Sequence, residues 1–164
     1  MLSQLLLVAS LCLPPVPRPA STCSCLGPFP PVSDSAVAHA ALSTADVVFI
    51  GAATSVGDTI DIEILRSGRF PVRKRRATFA VQAAWKAALS RAITVLTSTS
   101  DSNCGYHFTP GQRYLVFATV GANGTLYTMS CTPTQEVGTA RKHLLGLGKP
   151  RVRYALPDSG SAPR

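Results

Sequence analysis

Chemistry in this chain of 164 residues would concentrate at Cys23-Ser24-Cys25 and at two distant cysteines, Cys104 and Cys131. Thiolates bind metals and act as nucleophiles, while paired thiols crosslink a chain. The compartment decides between these roles. An apolar run from Leu5 to Leu13 (LLLVASLCL), followed by a proline-rich stretch, has the length of a signal-peptide core and is too short to cross a bilayer. Residues 1–22 are therefore expected to be a signal peptide, and the protein is expected to be secreted, extracellular and without a membrane span. Removing that segment takes away Cys12 and leaves Cys23, Cys25, Cys104 and Cys131. An even number of cysteines in an oxidising compartment points to two disulfides. Cys23 and Cys25 are badly placed to bond each other, because a one-residue loop strains the bridge. Each is expected to reach Cys104 or Cys131. Loops that long would each remove about 4–5 kcal/mol of unfolded-chain entropy. A mature chain starting at or near Cys23 would also present a free amine beside a rigid loop.

Other groupings carry less. Cys104-Gly105-Tyr106-His107 together with Cys23 and Cys25 has zinc-ligand types. Disulfides are the stronger expectation, so no metal of its own and no cofactor is expected. His39, His107 and His143 come without a G-x-S-x-G elbow or an H-E-x-x-H helix, and acidic residues number only eight. The chain is not expected to be an enzyme. Its net charge of +8 suits acidic partners, namely acidic glycans or an anionic cell surface. Arg73, Lys74, Arg75 and Arg76 form the candidate partner patch. Nucleic acid is not an expected partner, since secretion argues against it and no aromatic stacking set is visible. Asn123-Gly124-Thr125 is a glycosylation sequon in a turn.

The positioning elements follow from periodicity. Ser33 is expected to cap a short helix over Asp34–Leu42. Asp46–Val56 reads as a strand, with Gly51 marking a bulge, and Val56-Gly57-Asp58 reads as a turn. Ile60, Ile62 and Ile64 alternate with polar residues, the pattern of a half-buried strand. Arg66–Arg76 reads as a basic loop. Strands follow over Thr78–Lys86 and around Ile93–Thr97, with Trp85 read as core or barrel-rim packing. Then come a polar loop carrying Cys104, a strand over Arg113–Thr119 apolar on both faces, and a last strand over Leu126–Cys131. Thr132-Pro133-Thr134-Gln135 has the form of a capping box opening a helix to about Leu145. Residues 149–164 read as a flexible basic tail. Many short strands with helices at both ends suggest an all-β protein, an OB-type five-stranded closed Greek-key barrel flanked by short α-helices and stapled by disulfides.

These pieces, in order, resemble the netrin-like family that includes the tissue inhibitors of metalloproteinases. The likeness rests on Cys23-Ser24-Cys25, ADVVFIGAATSV, FAVQAAWKA, CGYHFTPGQRYLVFA around Cys104, and LYTMSC ending at Cys131, and covers residues 23–148. It implies an OB-type barrel with flanking helices, and the pairs Cys23–Cys104 and Cys25–Cys131. It also implies a mechanism. The free amine and carbonyl of Cys23 would chelate a protease's catalytic zinc, and the Ser24 side chain would enter the specificity pocket. The expected partner is then a zinc metalloproteinase. The alternative is a non-inhibitory extracellular module that binds a protein or polyanion through its basic patch.

Overall fold

The structure is a computed structural model that describes residues 23–26, 31–87 and 90–154. The expected signal peptide (1–22) and the end of the expected tail (155–164) lie outside the described residues. The fold is mostly β, with two helices. Strands β1 (Val47–Leu65), β2 (Gly68–Lys86), β3 (Ala92–Ser98), β4 (Arg113–Val120) and β5 (Leu126–Tyr127) pair in the order β1-β2-β3-β5-β4. A further β1–β4 pairing joins the ends, giving a ring of five strands. Every junction is antiparallel except β3–β5, which is parallel.

Two apolar clusters explain why the ring holds. One lines its inner side: Phe49, Ala53, Phe79, Val95, Tyr114 and Val116, with Phe108 reaching in from a loop. Phe79, Phe108 and Tyr114 meet edge-on, with Phe108 lying 5.0 Å from each of the other two ring centres. The second cluster lies under helices α1 (Asp34–Thr44) and α2 (Arg141–Leu147) and contains Val48, Ile50, Trp85, Leu115, Phe117 and Leu147. β4 is therefore buried on both faces, as its unbroken apolar run requires. The Trp85 indole N–H donates to the Gly148 carbonyl at 2.9 Å. The helices pack closely because Gly146 lacks a Cβ; one added there would lie 2.1 Å from the Ser35 carbonyl oxygen.

Several elements follow the sequence pattern. Ser33 caps α1 by accepting from the Ala36 N–H at 3.3 Å. The β1–β2 register shifts between Ile50 and Gly51, and Gly51 has backbone and side-chain atoms within 3.1 Å of where a Cβ would sit.

Others depart from it. The expected turn at Val56-Gly57-Asp58 is absent, and β1 runs through it because Gly57 and Asp58 stay paired with Arg76 and Arg75. The expected basic loop is mostly strand. Only Arg66 and Ser67 turn the chain, and Gly68, at φ 137°, supplies the backbone freedom. The last ring strand ends at Tyr127 rather than Cys131. The expected helix at Thr132 does not start there. The Thr132 hydroxyl donates to the Met129 carbonyl at 2.8 Å, and the Thr134 hydroxyl accepts from the Phe117 N–H at 3.0 Å. Gln135–Glu136 instead forms strand β6 against β4. Residues 149–154, expected to begin a flexible tail, run along β2, where Val152–Arg153 forms β7 opposite Ala84 and Ala83.

Candidate functional site: the stapled leading segment

Residues 23–26 have no regular structure of their own, so crosslinks must hold them. Cys23 bonds Cys104 with Cα atoms 5.0 Å apart, and Cys25 bonds Cys131 with Cα atoms 5.3 Å apart. Both anchors are themselves fixed. A single 3₁₀ turn, Asp101–Asn103, delivers Cys104 in the left-handed conformation at φ 56°. Gly105 follows, where a Cβ would come 2.3 Å from the Ser98 carbonyl oxygen. The Tyr106 N–H then donates to the buried Thr97 hydroxyl at 2.9 Å. The Ser130 N–H donates to the Cys104 carbonyl at 2.9 Å, which ties the two anchor loops together.

The two bridges touch. Cys131 Sγ lies 3.4 Å from Cys23 Sγ and 3.6 Å from Cys104 Sγ. The sulfurs of Cys23, Cys25 and Cys131 sit within 4.8 Å of one another, close enough to surround a metal ion. Metals bind thiolates, and bridged sulfurs are not thiolates. In the oxidised chain the cluster is a crosslink. Ser24 and Leu26 are both exposed, so the clamp leaves the side chains between and after the cysteines facing solvent.

The sequence-expected basic patch is divided by the two-residue period of β2. Arg73 and Arg75 point to one side, and Lys74 and Arg76 to the other. Lys74 pairs with Glu63 at 2.5 Å and lies 5.9 Å from the centre of the Tyr127 ring. Arg75 faces Asp58 at 3.6 Å and donates to His107 Nδ1 at 3.2 Å. His107 Nε2 in turn donates to Asp101 at 2.5 Å. This Asp58–Arg75–His107–Asp101 chain braces the Cys104 loop against the β1–β2 pair. Spacing along the chain does not reveal this bracing, because the four groups come from three separated segments. His39 is exposed on α1 and His143 sits on α2, so the three histidines lie on different elements.

A second polar cluster fills the gap between β1 and the 121–125 turn. Asp61 is only 8% exposed. It accepts from the Tyr127 hydroxyl and from Asn123 Nδ2, the latter at 3.1 Å. Burial and the hydrogen bond to Asp61 both raise the Tyr127 pKa. Tyr106, beside the Cys104 anchor, is pushed up to about 12, first by burial and then by Tyr114 and Glu136. No family model matches this chain, and no curated protein matches it.

Proposed function

We propose that this chain is a secreted netrin-like module, with its strand ring an OB-type barrel, that inhibits a zinc metalloproteinase through Cys23 and Ser24. The observation carrying this reading is the double clamp: residues 23–26 are crosslinked on both sides of an exposed Ser24. The strand order β1-β2-β3-β5-β4 closed onto β1, with one parallel junction, supports the OB-type reading.

The chemistry has three parts. Signal cleavage directly before Cys23 frees its α-amine, whose pKa of about 7.7–8.0 leaves a usable neutral fraction at physiological pH. A catalytic zinc keeps an open coordination position, which the amine nitrogen and the Cys23 carbonyl oxygen occupy in place of water. The bridges remove the ordering cost that a free peptide would incur on entering an active-site cleft. Ser24, the next side chain, then faces the specificity pocket.

The test compares two forms of the purified protein against a set of zinc metalloproteinases, one starting at Cys23 and one carrying an added alanine before it. The Cys23 form inhibits, and the extended form loses inhibition by about a hundredfold or more, as expected when a metal-bound nitrogen becomes an amide. Equal inhibition by both forms, or none by either, would overturn the proposal.

A further inference from the structure

The β1–β2 pair extends past the ring. The last β2–β3 rung is Lys74 opposite Ser98, so residues 60–73 form a two-stranded ribbon beyond β3. Directly opposed residues share a face. On one face Ile60 opposes Arg73, Ile62 opposes Pro71 and Ile64 opposes Arg69. This face continues the side on which Ala77 and Phe79 line the ring, but among the described residues no strand closes over it. Ile60, Ile62 and Ile64 are 61%, 41% and 51% exposed, and Arg69 and Arg73 are exposed with them. The ribbon's acids are kept away: Asp61 and Glu63 face the other side, held by Tyr127, Asn123 and Lys74. Asp58 sits at the inner end of the apolar face, beside Arg75.

We propose that this face docks on an anionic lipid bilayer, with the three isoleucines entering the headgroup boundary and Arg69 and Arg73 on lipid phosphates. Charge complementarity selects this occupant. A soluble polyanion would use the arginines and leave three isoleucines in water, whereas a bilayer surface satisfies both kinds of side chain at once. The proposal stands apart from the protease reading, since it uses none of residues 23–26.

Flotation of the full secreted chain with vesicles tests it, comparing pure phosphatidylcholine with a mixture holding about 30% phosphatidylserine, at about 0.15 M salt. The chain is expected to bind the anionic vesicles at least about tenfold more tightly. The paired substitution Ile62→Ser and Ile64→Ser, which leaves charge unchanged, should lower that binding about tenfold or more while heparin binding stays the same. The Ile62→Trp variant should shift its fluorescence to shorter wavelength on anionic vesicles. Vesicle binding unaffected by the serine pair, no shift from Trp at position 62, binding to heparin alone, or a second copy covering the face in sedimentation would each overturn the proposal.

Discussion

The same pair of strands behaves differently along its length. In the inner half, Val47–Ala53 of β1 against Phe79–Lys86 of β2, the apolar side chains are covered on both faces, by the ring interior and by the helices. In the outer half the alternation continues, yet Ile60, Ile62 and Ile64 face solvent while Asp61 is buried. Alternation fixes which residues share a face. Whether that face is covered depends on how far neighbouring strands extend, and β3 stops at Ser98. Burial in the outer half comes instead from Tyr127 and Asn123, so a carboxylate is enclosed by hydrogen bonds where the ring encloses phenyl groups.

Substitutions sharpen this contrast, the largest effect coming first. Phe79→Ala in the inner half should cost about 3–5 kcal/mol, because it empties the centre of the aromatic cluster. Denaturant titration would show this as a lower midpoint. Replacing Cys25 and Cys131 together with serine should cost about 2–5 kcal/mol and increase proteolysis after residue 25, as the clamp's second bridge is lost. Tyr127→Phe, in the outer half, should cost about 1–3 kcal/mol, since it leaves the buried Asp61 with a single side-chain donor, Asn123. A larger loss for Tyr127→Phe than for Phe79→Ala would reverse the comparison. Ile62→Ala should change stability by no more than about 0.5 kcal/mol, despite being the same type of residue that fills the core.

Alkali gives a further handle. Tyr106 keeps its proton in the fold up to about pH 12, while the unfolded chain gives up that proton near pH 10. Between those values the unfolded state binds fewer protons, so stability is fully present below about pH 10 and falls as pH rises towards 12. The Tyr106→Phe variant should show a shallower decline over that window in pH-dependent denaturation.

Much of the frame was legible from residue types. The Ser33 cap, the doubly apolar β4 and the bulge near Gly51 each follow from local rules. What escaped depends on partners far along the chain. The capping box at Thr132 is locally sound, but the Thr134 hydroxyl is taken by Phe117, seventeen positions away in the sequence. Arg73-Lys74-Arg75-Arg76 reads as part of a basic loop, yet the turn lies earlier, at Arg66 and Ser67, and pairing with β1 splits the four cations between two faces. The His107 bridge between Asp101 and Arg75 has no signature in spacing at all. The Ile60–Ile64 strand had the right period and the wrong buried face, because the length of β3 is not encoded in β1.

The clamp is what the functional reading stands on, and its connectivity can be measured directly. Mass spectrometry of non-reduced proteolytic peptides, with backbone fragmentation between Cys23 and Cys25, should give Cys23 joined to Cys104 and Cys25 joined to Cys131. Free thiols at these positions, or a bond joining Cys104 to Cys131, would contradict the account.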